Sequence, residues 1–377
     1  MDQLIIAKPF LFFLLATFFF YHAIQQPRFR LKRHILAGLH LLCIAISLQA
    51  DPVVLFFYPV IAIPFVIGLT VHTASLLLVD QCTLDLRSLA PCQRLRAFTR
   101  TWTNIRRLRL GEHASSPGSV DGRSTGLLSF TLYRALQVLI LWTASNGVEK
   151  HFPLALLRLG VRAQDFAPEK QGIVPPATSH DLLLRLLISV HWIWHNYCEL
   201  SMWHNTLAIA CVAVLRWDRP SEWPPLFGEV FEAYSLRRFW GIFWQRLHVA
   251  PFAACTPAFV SRVRALRALW IFLLSAVCHA VANWVLHRVN TVKEDVWFFG
   301  VNYAVCLVET AALAVVHHET GFTGLRVFGK WFIVSERAAR LLGYLWVSVF
   351  FLCTVPGWQY PLVYQSLDHN LDHSLDM

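Results

Sequence analysis

Apolar runs long enough to cross a bilayer recur along almost the whole chain, at 4–24, 34–50, 53–79, 127–145, 182–215, 267–288, 296–317 and 341–360. A helix needs about 20 residues to cross the hydrocarbon, and nearly every run approaches that length. Composition agrees. Of 377 residues, 56% are hydrophobic and 15% charged, against about 25% charged in soluble domains. The expected fold class is all-α: a polytopic membrane protein of about 8–9 transmembrane helices. The 182–215 run fits one long helix or two short ones.

The gaps between the runs hold most of the basic residues. Net charge is +10. In a soluble chain that would suggest nucleic acid; between apolar runs it follows the positive-inside rule and attraction to anionic lipid. We therefore expect membrane lipid, and no nucleic acid, as a partner. Arg28, Arg30, Lys32 and Arg33 place the 25–33 gap in the cytosol, followed by a lumenal turn at Asp51-Pro52. Arg87, Arg94, Arg96, Arg100, Arg106, Arg107, Arg109 and Arg123 mark 80–126 as a cytosolic loop, and Arg216, Arg219, Arg237, Arg238, Arg246, Arg262 and Arg264 mark 216–266. Both termini are then lumenal. Whether 127–145 and 182–215 each cross once or twice stays open. The basic stretch after Phe10–Ile24 and the lack of a small-residue cleavage site imply a retained first span. His113–Gly126 reads as irregular and the tail from Gln365 as frayed. The expected domain organisation is one membrane-embedded domain over 1–377.

The nine cysteines form no CxxC pair, and most lie within apolar runs. They imply neither a disulfide framework nor a zinc site. No Gly-rich phosphate loop or Asp-rich diphosphate motif is present.

Two features carry chemistry. The loop at 216–266 contains Ser235-Leu236-Arg237-Arg238-Phe239-Trp240-Gly241-Ile242-Phe243-Trp244-Gln245-Arg246-Leu247-His248. Guanidinium groups there can hold phosphates, and the indoles can pack on an acyl chain or stack on a base. The same pattern also fits an interfacial helix that only anchors the loop. In the span that follows, His279 stands near the middle of Ala268–Leu286. An imidazole inside a span is either a general base near neutral pH or a hydrogen-bonding tie between helices. A serine nucleophile at Ser275, one turn before His279, lacks a carboxylate in its span to orient the base.

Together these features resemble the membrane-bound O-acyltransferase family, in its wax-synthase-like branch. A Ser-Leu-Arg-x-Phe-Trp-Gly-x-x-Trp motif is typical of that branch and is matched at Ser235–Trp244. Phe272-Leu273-Leu274-Ser275-Ala276-Val277-Cys278-His279 is similar to its Phe-x-x-Ser-(Gly)-x-x-His. Gln245 stands where the family usually has Asn or His. The resemblance covers roughly 180–320. It implies helices enclosing a catalytic tunnel and direct acyl transfer from a CoA thioester to an alcohol, with His279 as the catalytic base. It also implies substrate contacts from Arg237, Arg238, Trp240, Trp244, Gln245 and His248, and acyl-CoA as co-substrate with no bound cofactor or metal. This chain is similar to fungal secondary-metabolite acetyltransferases, which implies acetyl-CoA, a lipophilic terpenoid or meroterpenoid alcohol and the endoplasmic reticulum membrane. Transfer to a long-chain alcohol, as in wax synthases, is the alternative within the family.

Two other classes remain in view. His191 and His195, at i,i+4 with Glu199 a turn further, can ligate a metal; with His317-His318 they suggest the histidine boxes of a membrane di-iron oxygenase. Ala314 and Val315 occupy the places where a further box histidine would stand. A non-catalytic transporter would show broken helices or inverted repeats, and the sequence shows neither.

Overall fold

The computed structural model describes residues 2–28, 30–49, 59–108, 126–173, 178–320, 325–327, 330–332 and 336–375. The helices are α1 (Asp2–Ile24), α2 (Leu31–Ser47), α3 (Pro59–Ala74), α4 (Pro91–Thr103), α5 (Leu127–Arg158), α6 (Ser179–Ile209), α7 (Leu236–Arg238), α8 (Val249–Ala254), α9 (Ala258–Ser261), α10 (Arg264–His287), α11 (Val292–Thr320) and α12 (Glu336–Leu375). A short antiparallel hairpin pairs Leu325–Val327 with Lys330–Phe332 between α11 and α12. The fold is otherwise helical, as the apolar runs require.

Every expected span overlaps a helix among the described residues, but lengths and charges differ. The 182–215 run is one helix. Thr178 caps α6 by accepting from the Asp181 amide at 3.1 Å, and a π turn, Ala210–Val214, extends its far end. At 1.5 Å per residue, α6 alone is about 46 Å long, more than the hydrocarbon thickness. Among the described residues, four helical stretches are long and apolar enough to cross a membrane: Leu127–Arg158, Arg264–His287, Val292–Ala314 and Arg337–Gln365. Lys8–Ile24 and Ile63–Val79 are apolar but shorter. α2 carries Lys32, Arg33 and His34, and α6 carries Asp181, Arg185 and Glu199, which lowers the hydropathy of both. The face of α5 leaves Leu128, Leu132, Leu136, Leu139, Ile140 and Trp142 exposed. So much contiguous apolar surface belongs in lipid, and the protein is a membrane protein. The Asp51-Pro52 turn lies outside the described residues, as does all of His113–Gly126 except Gly126. α12 continues to Leu375, through the tail expected to fray; 366–375 contains neither Gly nor Pro to stop it.

The chain divides into two compact units, each made of three segments. The first comprises Met1–Leu127, Cys211–Trp223 and Leu247–Asn290; the second comprises Leu128–Ala210, Pro224–Arg246 and Thr291–Met377. In the first unit α1 and α2 pack as a hairpin around Phe20, Ala23, Ile24 and Ala37, joined by Leu77, Leu86 and Phe98. α3 meets α10 through Ile63, Ile67, Ala282 and Val285. Two buried polar residues tie these elements together. His40 spans from the Ala16 carbonyl (2.9 Å) to Thr73 Oγ1 (2.8 Å). Arg33, which the sequence reading puts in a cytosolic loop, stands in the first turn of α2 and is fully buried. Its guanidinium donates to the carbonyls of Leu77 (2.9 Å), Gln26 (3.0 Å), Leu76 (3.2 Å) and Cys82 (2.7 Å). Those carbonyls lie where the helix ends loosen, and the Leu76 carbonyl also accepts from the Cys82 amide at 2.9 Å, so the charge closes the connection between α1, α2 and the turn after α3.

In the second unit, Phe166, Leu184 and Tyr360 pack α6 and α12 against the connection after α5. Arg134 of α5 is buried and donates to Asn205 of α6 at 2.6 Å, with its guanidinium over the Phe130 ring.

Arg33→Met would strip four carbonyls of their donor while keeping most of the volume. We expect a loss of about 3–5 kcal/mol, as for breaking a buried charged network. Thermal unfolding of the detergent-solubilised protein reads it, and Arg33→Lys, with one ammonium in place of the fork, recovers only part.

Candidate functional site

The loop singled out in the sequence belongs to the second unit, and its conformation has identifiable causes. Ser235 Oγ accepts from the Arg238 amide at 3.3 Å and starts the short α7. The turn then widens into a π turn, Phe239–Phe243, closed by the Trp244 amide donating to the Phe239 carbonyl at 2.7 Å. Such turns are frequent at functional sites. Glu309 of α11 supplies the remaining acceptors. Its carboxylate accepts from the amides of Leu236 (3.0 Å) and Arg237 (2.8 Å) and from Trp346 Nε1 (2.9 Å). An anion at the first turn of a helix complements the exposed amides there. Two glycines allow close approach: a Cβ at Gly343 would collide with the Tyr234 carbonyl, and one at Gly228 with the Ile242 carbonyl.

The aromatic side chains of the loop form a layer with those of α6, α11 and α12. Trp244 is buried and stacks on Phe239 (ring centroids 5.2 Å) and Trp192 of α6 (5.4 Å). Trp192 also meets Trp358 edge-on at 5.3 Å, and Trp358 stacks on Phe298 at 4.1 Å. Trp358 Nε1 donates to the buried Asp295 carboxylate at 2.7 Å, and Thr291 donates to the same group at 2.7 Å. Trp240 Nε1 donates to Asn302 Oδ1 at 2.8 Å. Of the two arginines, Arg238 is engaged within the loop: it pairs with Glu232 and lies over the Tyr234 ring. Arg237 is exposed, and Gln245 is half-buried.

The two histidines belong to the first unit. The chain enters it after Arg246, and His248 precedes α8, its ring stacked on Phe252 at 5.5 Å. His248 Nε2 is enclosed and has no hydrogen-bond partner among the described residues. The ring presses against α3 at Gly68, where any Cβ would overlap it. Burial, helped by the nearby His279 imidazole, lowers the His248 pKa to about 4. His279 is half-buried on α10, beside the fully buried Ala276. The structure thus brings His248 and His279 within electrostatic reach of one another, a pairing that sequence reasoning did not propose.

A family model matches this region. Residues 223–301 match the model of the Membrane bound O-acyl transferase family, a stretch holding the loop, His248 and His279. By this match the segment is similar to O-acyl transferases. Curated relatives agree. Acetyltransferase spyB of Aspergillus fumigatus is 28% identical over 174 residues, 42% of this chain and 29% of that protein. Acetyltransferase TRI7 of Fusarium sporotrichioides is 28% identical over 191 residues, 45% of this chain and 40% of that protein. O-Mevalon transferase yanI of Aspergillus niger is 43% identical over 54 residues, 13% of this chain and 12% of that protein. The matches take in less than half the length of each of these relatives. No solved structure matches the chain.

Glu309, Asp295, Asn302 and Gly68 pack or hydrogen-bond around the loop, Trp358 and His248 and were not singled out in the sequence. Each acts on a partner far along the chain, and only a weak signal existed: a carboxylate or amide within an apolar run. His191 and His195 lie in α6 of the second unit, and the carboxylate they face is Glu149 of α5 rather than Glu199. The side chains of His317 and His318 lie outside the described residues.

Two outcomes follow. Glu309→Ala leaves two amides and an indole without their acceptor, and should lower stability by about 1–3 kcal/mol in a melting experiment. His248 stays neutral in the folded chain down to about pH 4, whereas its ordinary value is 6.5. Between those values the unfolded chain binds the extra proton. Stability from this residue is therefore intact above pH 6.5 and declines as pH falls towards 4. Comparing melting at pH 7.5 and about 5 should show a smaller decline for His248→Gln.

Proposed function

We propose that this protein is an O-acetyltransferase that moves the acetyl group of acetyl-CoA to a hydroxyl of a hydrophobic terpenoid or meroterpenoid alcohol, with His279 as general base. The observation that carries it is the placement of His279, paired with a neutral His248, inside the segment that matches O-acyl transferases. Relatives named acetyltransferases favour acetyl as the transferred group.

In the proposed reaction His279 takes the hydroxyl proton as the alcohol oxygen attacks the thioester carbonyl. The C–O bond forms, the C–S bond breaks, and the imidazolium returns the proton to the departing CoA thiolate. No acyl-enzyme is needed, because the thioester is already activated. His248, within electrostatic reach of His279, is neutral at physiological pH. Arg237, exposed at the first turn of α7, serves the CoA phosphates more readily than Arg238, whose guanidinium is already held by Glu232. Trp240 and Trp244 supply apolar surface, and Gln245 orients the carbonyl.

The architecture that goes with it is a single domain of eight to nine spans around a tunnel, in the endoplasmic reticulum membrane. The 80–126 and 216–266 loops would be cytosolic, where CoA arrives. A lipophilic alcohol would reach His279 laterally through the bilayer.

The test is acetyl transfer by microsomes supplied with acetyl-CoA and a panel of terpenoid alcohols. His279→Ala should lower turnover by about 100-fold or more, the usual loss of a general base. Cys92→Ser, at an exposed site with no assigned role, should leave it unchanged. Undiminished turnover in a stably inserted His279→Ala protein would remove His279 from the mechanism. Preference for a long-chain acyl-CoA and a long-chain alcohol would replace the acetyl reading by wax-ester synthesis.

A further inference from the structure

The second unit contains a cluster that the acyl-transfer reading does not use. His191 and His195 stand one turn apart on α6, and Glu149 faces them from α5. His191 Nε2 lies 3.1 Å and His195 Nδ1 3.0 Å from the same carboxylate oxygen, Glu149 Oε1. One ligand atom from each residue fits within a span of 4.8 Å.

We propose that Glu149, His191 and His195 form a mononuclear site for a divalent transition-metal ion, with Zn²⁺ as the ion best suited to it. Two imidazole nitrogens and one carboxylate oxygen are a borderline donor set that suits zinc. Zn–N and Zn–O bonds of about 2.0–2.1 Å at tetrahedral angles put neighbouring donors about 3.3 Å apart. The observed separations need open by only a few tenths of an ångström for an ion to enter. Three protein donors leave a fourth position for water.

The surroundings support coordination. Phe152 stacks on the His191 ring at 3.9 Å between centroids and 12° between planes, which fixes the direction of Nε2. Pro153 lies four residues after Glu149, so the α5 carbonyl ladder is interrupted at the turn carrying the carboxylate. The three side chains are partly exposed, at 22% for His191, 32% for His195 and 40% for Glu149, which leaves an ion a way in. Glu199, a turn beyond His195, adds a second carboxylate to the same face of α6.

An ion here would join α5 to α6 beside Trp192, the residue on which Trp244 stacks. Its role would be to brace that stack rather than to react. Three donors make a single-ion site, whereas the di-iron reading of the paired histidines requires two irons and more ligands.

The test uses the full chain in detergent, stripped with chelator, loaded with Zn²⁺ and dialysed. Elemental analysis should find about one zinc per chain. Co²⁺ in its place should give the visible absorption of a tetrahedral site. Zn²⁺ should raise the melting temperature by several degrees, since a ligand that binds the folded state stabilises it. Glu149→Gln, nearly isosteric and able to keep a hydrogen bond to each imidazole, should fold and lose all three signals; His195→Ala should do the same. His279→Ala should load zinc like the native chain, so metal binding and acyl transfer are judged separately. A native chain that retains no zinc and shows no cobalt spectrum overturns the proposal, as does zinc that Glu149→Gln and His195→Ala both leave undiminished.

Discussion

A polar group inside this protein has little water to fall back on, and most of the architecture answers that constraint. In hydrocarbon an unpaired N–H, C=O or charge costs several kcal/mol, so each must find its partner within the chain. Arg33 finds four carbonyls at the loosened helix ends of the first unit. Arg134 finds Asn205, and Asp295 finds Trp358 and Thr291, in the second. These links join elements distant in sequence, and a helix that rotated by a quarter turn would break them. Apolar packing among Leu, Phe and Val tolerates such rotation more readily, because lipid tails are as apolar as the side chains they replace.

The signature loop is held by the same means. Its aromatic side chains provide the mass of the packing, but Glu309 fixes its beginning. One carboxylate ties α7 to α11 and to Trp346 of α12, so three elements meet at a point. From there the π turn carries Trp240 toward Asn302 and Trp244 onto Trp192. A widened turn of this kind would be an irregularity in a free helix. Here the cap at one end and the stacked indole at the other define it.

Much of the helical layout was legible, because apolar runs bounded by arginines leave few alternatives. Even the 182–215 run resolves as one helix, since Thr178 caps its start and no Pro or Gly interrupts it. The loop motif and His279 were legible too, from residue types rare inside a membrane. What stayed hidden shares one property: it is a pairing across the chain. Glu309 reads as an isolated charge in an apolar run until the α7 amides are placed against it. Gly68 reads as an ordinary span residue until the His248 ring fills the space where its Cβ would stand. The burial of Arg33 was hidden for a related reason. The positive-inside rule counts charges near a span, and it does not say which of them turns inward to carbonyls.

The histidines show how far neighbours, rather than residue type, decide chemistry. His191 and His195 share the Glu149 carboxylate oxygen, an arrangement that offers three ligand atoms to a cation. His248 is buried with its Nε2 unpaired, an environment that disfavours the charged form and keeps the ring neutral at physiological pH. His279 lies within electrostatic reach of that neutral ring. The four imidazoles fall into two pairs, one sharing a carboxylate and the other made of two rings within electrostatic reach of each other. That division follows from Glu149 on one side and from Gly68 and Phe252 on the other, and it is why the base is sought on α10 and the cation on α6.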